Sequence, residues 1–408
     1  MPDKQLDIVV YGATAFVGKI LCHHLLETLG TDGDLRWGLA GRSRAKLEAL
    51  HQELGAPAGL PLFVADGADE AALAAFVRQT RVVISTIGPY ALHGEPLVRV
   101  CAETGTDYCD LTGEVHWIRR MIRTYEDVAK RSGARIVHCC GFDSLPSDLG
   151  VHYLQQQAQE RFGQPCQTIH MRVRGAKGGA SGGTIASVMN MAREASADKD
   201  VLRQLANPFS LCPDDFTGNP RQTDLKGIKY DADVSAWVAP FFMAAINTRV
   251  VHRSHALQGG SWGSDFIYEE GMMMGKGVKG WFAAGGFTLG LGTFALLSFT
   301  GPARRFMERF VLPKPGEGPD AAARERGYWD LIFIGRTASG DTLRTRVTGD
   351  RDPGYGSTAK MLAQAGICLA RDFTGEEKNG GFPTPATVLG SRLIARLTEH
   401  AGVTFATL

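Results

Sequence analysis

The feature that most restricts the fold of this chain is a glycine-bounded turn near its start, set between an apolar run and a helical pattern. Residues 6–11 (LDIVVY) are apolar and rich in β-branched side chains, which is typical of a buried parallel strand. The run ends at Gly12, and apolar residues at helical spacing begin directly after Gly18. A strand, a tight turn and a helix in this order predict the first βαβ unit of a doubly wound sheet.

The same alternation continues over the first third of the chain. Further strand-like runs occur at 36–40, 62–65, 81–87, 107–111 and 135–139, and helical patterns lie between them at 45–54, 70–78 and 95–103. Strands that alternate with helices at this spacing form parallel sheets covered by helices on both faces. We therefore predict the α/β class, with an N-terminal Rossmann domain, a doubly wound parallel sheet, over residues 1–150.

Beyond residue 150 the pattern changes. A helical pattern at 184–196 precedes runs at 330–335 and 341–348 that alternate like paired strands, and 313–319 is rich in Pro and Gly, as linkers are. These features predict a second, α+β domain over residues 151–350, for substrate binding or dimerisation. Helical patterns at 361–370 and 387–398 predict that residues 351–408 are C-terminal helices that pack back on the first domain.

Composition and charge narrow the partners and the compartment. The net charge of +1 over 408 residues gives no electrostatic basis for nucleic-acid binding. The eight cysteines include no CxxC pair and match no zinc template, so we expect reduced thiols and no metal site. The first residues lead into a strand without a secretory signal, which predicts a cytoplasmic protein. We expect a small-molecule substrate and a homodimer.

The glycine turn has the chemistry of a dinucleotide-binding loop. It follows the GxxGxxG layout with Ala15 at the position of the middle glycine, where the backbone normally approaches the phosphates. The start of the following helix would offer free N–H groups to a pyrophosphate. The predicted binding residues of this loop are Gly12, Ala13, Thr14, Ala15, Phe16, Val17 and Gly18.

Residues after the next strands indicate which dinucleotide binds. NAD sites usually carry an acidic residue at the end of the second strand, whereas this chain has Arg42, Ser43 and Lys46, which suit a 2′-phosphate. Asp66 follows the third strand, where a carboxylate commonly lies near the adenine. Gly88 and Pro89 follow the fourth strand, on the side expected for the nicotinamide. These positions favour NADP(H) as the cofactor.

Longer motifs resemble the saccharopine dehydrogenase-like oxidoreductases, most closely the bacterial trans-acting enoyl reductase branch. The matching segments are 11–18 (YGATAFVG), 40–43 (AGRS), 88–94 (GPYALHG), 107–114 (DYCDLTGE), 141–150 (GFDSLPSDLG), 181–184 (SGGT) and 349–356 (GDRDPGYG). They are distributed over nearly the whole chain. The resemblance implies an NADP-binding Rossmann domain, an α+β second domain and the reduction of a lipid-like or polyketide-derived substrate.

A reductase of this kind needs a proton donor near the nicotinamide as well as a hydride. Side chains at the carboxyl edge of the predicted sheet are the natural candidates, since ligands of open α/β sheets bind there. The predicted catalytic residues are Tyr90, His93, Asp110 and Asp143. Glu114 and Ser144 lie in the same loops, and Lys177 or Tyr355 of the second domain could equally supply the proton.

Residues 281–300 form a stretch of twenty residues without a charged side chain. Basic residues flank it on both sides, at Lys276 and Lys279 before it and at Arg304 and Arg305 after it. Three interpretations stay open: peripheral contact with the inner face of a membrane, a buried helix, and a transmembrane span. The first would place an otherwise cytoplasmic enzyme at a lipid surface.

Function at this point has three alternatives. The first is an NADPH-dependent oxidoreductase that reduces a C=C (enoyl) or carbonyl group of a lipid or polyketide-derived substrate. The second is a saccharopine-type amino-acid or imine dehydrogenase, which predicts a polar cleft with arginines for substrate carboxylates. The third is a lipid-associated protein that binds the dinucleotide without turnover.

Overall fold

The computed structural model describes residues 4–30, 33–56, 58–178, 182–310, 318–373, 377 and 379–408. The predicted linker at 313–319 lies outside the described residues except for its last two positions. Ser181 of the SGGT segment also lies outside them. The described chain forms two sheets, one of six parallel strands and one of seven mixed strands. This arrangement confirms the predicted α/β class, with a Rossmann sheet followed by a second mixed domain.

The first sheet is built from alternating strands and helices. In chain order they are β1 (Leu6–Tyr11), α1 (Phe16–Leu29), β2 (Trp37–Gly41), α2 (Arg44–Glu53), β3 (Leu62–Val64), α3 (Glu70–Val77), β4 (Thr80–Ser85), α4 (Tyr90–His93), α5 (Glu95–Thr104), β5 (Asp107–Asp110), α6 (Val115–Ser132) and β6 (Ile136–Val137). The strand order β3-β2-β1-β4-β5-β6 reverses its direction beside β1. Ligands of such sheets bind in the crevice at the carboxyl ends of the strands, at this reversal.

The last strand of this sheet is shorter than the predicted 135–139. At its start Arg135 forms an isolated bridge with Gly381, and Cys139 adopts a left-handed backbone with a φ of 64°. A left-handed residue cannot continue an extended strand, so the chain turns away after β6. The turn directs residues 140–144 over the carboxyl edge of the sheet.

The second sheet begins after a long connecting helix. The elements are α7 (Leu145–Phe162), β7 (Cys166–Lys177), α8 (Gly182–Ala197), α9 (Lys199–Ala206), β8 (Lys229–Asp231), β9 (Ala236–Pro240), α10 (Ala244–Leu257), β10 (Ile267–Gly275), α11 (Gly277–Phe299), α12 (Gly301–Phe310), α13 (Ala321–Glu325), β11 (Tyr328–Thr337) and β12 (Thr342–Gly349). β7 and β10 are parallel, while the other strand pairs are antiparallel. The boundary predicted at residue 150 falls inside α7.

The chain ends with a π-helical turn at Pro353–Ser357, α14 (Thr358–Arg371), α15 (Pro385–Val388), α16 (Gly390–His400) and β13 (Val403–Thr407). Helix α14 packs against α1, β1, β4 and β5 of the first sheet. The segment 351–408 contains the predicted helices and, in addition, the strand β13, which was not predicted and which pairs with β12 at the edge of the second sheet. The C-terminal segment therefore contacts both sheets.

Helix α11 contains the apolar stretch, and its surroundings exclude the buried-helix interpretation within one chain. Only 11% of its most apolar window is buried. Among the described helices it is the one long and apolar enough to span a bilayer. Val278, Phe282, Leu289 and Leu296 are all strongly exposed, Phe282 least at 66%. An apolar helix with this much exposed surface is unusual in a soluble chain.

Candidate functional site

The loop between β1 and α1 has the backbone geometry of a phosphate site. Gly12 has a φ of 87°, and a Cβ there would lie 2.6 Å from Ile87 Cγ1 and 2.7 Å from Thr86 Oγ1. A Cβ on Gly18 would overlap the carbonyl oxygen of Gly12. Both positions therefore admit glycine alone, and they bring the first turn of α1 close against the end of β1.

The start of α1 fits a dinucleotide pyrophosphate. The first N–H groups of a helix have no acceptor within the helix, and the first turn of α1 contains no acidic residue. Ala15 is the N-cap and makes no side-chain capping hydrogen bond. Backbone N–H groups of Phe16 and Val17 are thus positioned to donate to the phosphates of NADP(H). The residues present fit the cofactor that the sequence predicts.

Phe16 has a second environment besides this loop. Its ring packs edge-on against Tyr355, with the ring centroids 4.7 Å apart, and Arg324 lies over its face. The Tyr355 hydroxyl accepts a hydrogen bond of 2.9 Å from the N–H of Gly182, at the start of α8. The side chain of Phe16 therefore joins the dinucleotide loop to the second half of the chain.

The predicted 2′-phosphate residues lie together at the end of β2. Arg42 and Lys46 are exposed, and no described ion pair involves either side chain. Ser43 caps α2 by accepting a hydrogen bond from the N–H of Lys46, at 3.4 Å. Thr14 lies beside this group, because a Cβ on Gly41 would be 3.8 Å from its hydroxyl. The cluster is positively charged and open to a ligand.

Asp66 lies across from Arg42 at the end of β3. Its carboxylate accepts a 3.0 Å hydrogen bond from the N–H of Ala68 and is otherwise exposed. Burial, assisted by the charge of Asp66, raises the pKa of Tyr11 to about 12, and Arg42 opposes this shift. Tyr11 is thus a neutral phenol that senses the charges of both Asp66 and Arg42.

The loop after β4 is held by a carboxylate from the loop after β5. Glu114 is fully buried and accepts hydrogen bonds from the backbone N–H groups of Tyr90 and Ala91, at 2.8 and 2.9 Å. It also accepts 2.7 Å from the hydroxyl of Ser187 on α8. Burial raises the pKa of Glu114. Its contacts fix the loop of Gly88 and Pro89 and attach α8 over it.

Tyr90 and His93 differ sharply in environment. The Tyr90 side chain is buried, its hydroxyl donates to the Ser85 carbonyl at 3.0 Å, and burial together with Asp110 raises its pKa well above the usual value. These contacts indicate a structural role for Tyr90 and argue against proton donation to a substrate. His93 is exposed at the end of α4 and is open to solvent.

Asp110 is also structural in its contacts. It is fully buried, and its carboxylate lies 2.7 Å from His138 Nδ1 and accepts 3.0 Å from the hydroxyl of Tyr108. It further accepts from the backbone N–H groups of Thr112 and Cys139. With every oxygen occupied in this way, Asp110 joins the ends of β5 and β6 and presents no free oxygen to a substrate.

Asp143 is the predicted catalytic residue with the most open carboxyl group. It is half-buried in the turn after β6, and no described donor lies within hydrogen-bond distance of its oxygens. Burial raises the pKa of Asp143 to about 7. A Cβ on Gly113 would lie 3.7 Å from its Oδ2, which places Asp143 beside the loop of Glu114. Near neutral pH this carboxyl can therefore both donate and accept a proton.

Thr358, Asn247 and Ser187 position the loops of Asp143 and Glu114, and none of the three was among the sequence predictions. Thr358, at the start of α14, accepts a 3.0 Å hydrogen bond from the N–H of Phe142. The Ser144 hydroxyl donates to Asn247 on α10 at 2.9 Å, and Ser187 holds Glu114 as described. Each partner is far away in the chain, so no local pattern could have indicated these pairs. Among the described residues, no group of three or more His, Cys, Asp or Glu side chains could hold a metal ion.

Comparison with known proteins supports a dinucleotide-binding domain in the first part of the chain. Residues 8–137 match the family model for the saccharopine dehydrogenase NADP-binding domain. A Mycobacterium tuberculosis protein provisionally named a trans-acting enoyl reductase is 40% identical over 99% of this chain and 98% of its own length. The trans-acting enoyl reductase of Mycobacterium ulcerans is 36% identical, with the same coverage of both chains.

Solved structures show the same fold at low identity. Saccharopine dehydrogenase (L-Glu forming) from Saccharomyces cerevisiae aligns over 99% of this chain and 100% of its own, with a TM-score of 0.53 and 13% identity. The homospermidine synthase of Legionella pneumophila, solved with NAD, covers 99% of this chain and 92% of its own, with a TM-score of 0.53 and 11% identity. At this identity the likeness establishes the architecture alone.

The family match and the full-length relatives identify the first domain and the class of chemistry. The matched segment coincides with the sheet that carries the glycine loop, and the protein is an NADP(H)-dependent oxidoreductase. The chain belongs to the saccharopine dehydrogenase-like oxidoreductases, in the branch of the trans-acting enoyl reductases.

Proposed function

We propose that this protein uses NADPH to reduce the C=C bond of an enoyl group in a lipid-like or polyketide-derived substrate. The observation that carries the proposal is the position of the Asp143 carboxyl, which lies in the turn after β6, beside the Gly113 loop, and has no hydrogen-bond donor among the described residues. Burial raises the pKa of this carboxyl to about 7, which suits a proton donor. The relatives named trans-acting enoyl reductases, similar over nearly the whole chain, support the choice of a C=C bond.

The reaction requires one hydride and one proton. NADPH held at the glycine loop would supply the hydride to the β-carbon of the enoyl group and would leave as NADP⁺. The π bond breaks, and its electron pair moves to the α-carbon side as an enolate. Asp143 donates its proton to the α-carbon, which completes the second C–H bond, and the carboxylate regains a proton from solvent. A carboxyl with a pKa near the working pH suits both halves of this cycle.

We assign the binding roles as follows. The loop from Gly12 to Gly18, with Ala13, Thr14, Ala15, Phe16 and Val17, would hold the pyrophosphate through backbone N–H groups. Arg42, Ser43 and Lys46 would bind the 2′-phosphate, and Asp66 would lie on the adenine side. Gly88 and Pro89 would contact the nicotinamide half. Glu114 is a positioning residue here, because it holds the Gly88–Pro89 loop through Tyr90 and Ala91.

Two finer predictions concern partners. We expect a homodimer, since the second sheet ends in the edge strands β8 and β13, which offer unpaired backbone groups to another copy. We also expect peripheral contact with the inner face of a membrane by an otherwise cytoplasmic protein, because α11 exposes a long apolar surface. Sedimentation equilibrium would test the dimer.

The first prediction concerns the reaction. We expect the protein to oxidise NADPH, followed at 340 nm, when it is given a long-chain trans-2-enoyl thioester, and to form the saturated product in equal amount. The matched saturated thioester should give no oxidation. Oxidation only with an amino acid or imine would instead identify a saccharopine-type dehydrogenase. NADPH binding without oxidation for any of these substrates would favour the non-catalytic alternative.

The second prediction concerns cofactor choice. An Arg42→Ala variant should bind NADPH more weakly by roughly tenfold to a hundredfold, because a charged hydrogen bond contributes about 1.5–3 kcal/mol. Its affinity for NADH should stay the same, since NADH lacks the 2′-phosphate. Arg44→Ala, which removes the exposed arginine two residues on, paired with Glu48, is the control and should change neither affinity. Equal affinity of the wild type for NADPH and NADH, by fluorescence titration, would contradict the assignment.

A further inference from the structure

Helix α11 presents one continuous apolar stripe to the outside of the molecule. Val278, Phe282, Leu289 and Leu296 follow one another at intervals of four and seven residues, which places them on one face of a helix. Their side chains are 71%, 66%, 73% and 68% exposed. A shallow apolar groove of about 560 Å³ runs along this face beside Ile228. Such a surface is costly in water and marks a site of contact.

The opposite face of α11 fixes its orientation. Gly280, Ala284 and Ser298 are buried, and the helix packs on β9, β10 and α8 of its own chain. A Cβ on Gly280 would overlap backbone atoms of Gly275, so the start of the helix is held tightly against the end of β10. The stripe therefore points away from the rest of the protein.

The charges around the stripe indicate what covers it. No charged residue occurs from 280 to 303, and no acidic residue occurs from 271 to 307. Lys276 and Lys279 lie at one end of the helix, and Arg304 and Arg305 lie just beyond the other. A spanning helix carries its excess of positive charge on one side, whereas here both ends are basic. Cations at both ends of an apolar stripe match a single anionic surface that runs along the helix.

The neighbouring helix extends this surface. Helix α12 begins one residue after the C-cap of α11, and its Phe306 and Phe310 are 59% and 67% exposed. They stand four residues apart on one face, with Arg305 and Arg309 next to them in sequence. An exposed aromatic pair beside basic residues is the composition of helices that lie at the boundary between lipid headgroups and acyl chains.

We propose that α11, with the exposed side of α12, docks this protein on an anionic lipid bilayer with α11 parallel to the membrane plane. The stripe from Val278 to Leu296 enters the boundary between headgroups and acyl chains, and the exposed cations Lys276, Lys279 and Arg305 bind anionic headgroups. The occupant is the lipid surface, rather than a second copy of the chain, because the cations at both ends would repel their counterparts in a symmetric helix pair.

Helix α8 contacts both the docking surface and the candidate site. Helix α8 packs on α11, and the Ser196 hydroxyl at its far end contacts the Phe299 carbonyl at 3.3 Å. Near its start, Ser187 of α8 holds Glu114 beside the Gly88–Pro89 loop. The 16 residues of α8 span about 24 Å, so the bilayer and the NADP(H) edge lie within reach of a long acyl substrate. Lipid docking itself does not depend on the enoyl chemistry, and binding and turnover are measured separately.

Liposome flotation tests the proposal with vesicles of phosphatidylcholine alone and of phosphatidylcholine with phosphatidylglycerol. We expect the wild type to float with the anionic vesicles, and a Phe282→Ser/Leu289→Ser variant to float about tenfold less or worse. The matched control is Leu202→Ser/Phe242→Ser, which removes an exposed Leu and an exposed Phe elsewhere and should float like the wild type. Circular dichroism would establish that all three proteins are folded.

A second pair of variants tests the charges. Lys276→Glu/Lys279→Glu should lose binding to anionic vesicles about tenfold, whereas Lys199→Glu, on the exposed α9, should not. Three outcomes would overturn the proposal. These are a wild-type protein that stays in the aqueous fraction at low salt, equal flotation with neutral and anionic vesicles, and a stable dimer that the Phe282→Ser/Leu289→Ser change converts to monomer. The last outcome would assign the stripe to a second copy.

Discussion

A Gly18→Val variant is expected to lose NADP(H) binding and to melt at a lower temperature than the wild type. The reason is steric, because any Cβ at this position would overlap the Gly12 carbonyl oxygen. The collision can be relieved only if α1 moves away from the end of β1, and overpacking of this kind costs about 1–3 kcal/mol or more. Moving the helix also moves its first N–H groups away from the pyrophosphate.

The matched change in the same loop is Ala15→Gly, which restores the usual middle glycine. Ala15 is the N-cap and makes no capping hydrogen bond, so the loss of its methyl group removes no contact that the helix needs. We expect NADPH affinity equal to or slightly above that of the wild type. Calorimetric titration of both variants, with thermal melts, separates lost binding from unfolding. A folded Gly18→Val protein that binds NADPH normally would show that the phosphates bind elsewhere.

The glycine loop was predictable because its physical requirements are local. A positive φ at Gly12, a close approach at Gly18 and a helix start all fall within seven consecutive residues, and the flanking periodicity identifies the strand and the helix. The Rossmann sheet follows from the same local alternation. Strand β12 was equally visible, because its side chains alternate between a buried and a more exposed face. Most side chains of its partner β11 are buried, so that strand shows no such alternation in the structure.

The assignment of chemical roles was less predictable, because it depends on contacts between distant residues. Tyr90, Asp110 and Asp143 all follow strands at one edge of the sheet, and the sequence alone cannot rank them. The ranking comes from burial and partners: Tyr90 and Asp110 use their oxygens on neighbouring groups, and Asp143 does not. Glu114 and Ser187 lie 73 residues apart, and their contact has no counterpart in any short pattern.

The C-terminal strand shows a similar limit. The five residues of β13 follow α16 at the end of the chain, and their strand character becomes evident only when β12 offers an unpaired edge. Edge pairing is decided by which strand is left open after the rest of the sheet has formed. A sequence pattern of this length carries no information about a partner more than fifty residues away.

The second large effect is expected at the proposed proton donor. An Asp143→Asn variant should bind NADPH as the wild type does, because no cofactor contact is assigned to its side chain. Its kcat with an enoyl thioester should fall by about 10²–10⁴, the usual contribution of a general acid. The amide keeps the size and hydrogen-bonding capacity of the side chain but cannot supply a proton, so the loss should appear in kcat rather than in KM.

The pH dependence gives the sharper test, because it follows from the shifted pKa. Burial raises the pKa of Asp143 to about 7, so the carboxyl is protonated below that pH and has no proton to donate above it. Wild-type kcat should therefore fall as the pH rises through about 7, and this limb should be absent in Asp143→Asn. Asp148 is the matched control, since burial also raises its pKa to about 7 while its carboxylate is bonded to Ala386 and Ser254.

Asp148→Asn should keep the alkaline limb even if it lowers the melting temperature, because its side chain is buried between α7, α10 and α15 and faces no substrate. If the alkaline limb disappeared in Asp148→Asn and persisted in Asp143→Asn, the titrating group would be one that lies away from the sheet edge. A limb that persists in both variants would point to another donor, with His93 next in order because it is exposed on the same edge. Only the loss of both rate and limb in Asp143→Asn alone identifies this carboxyl as the acid.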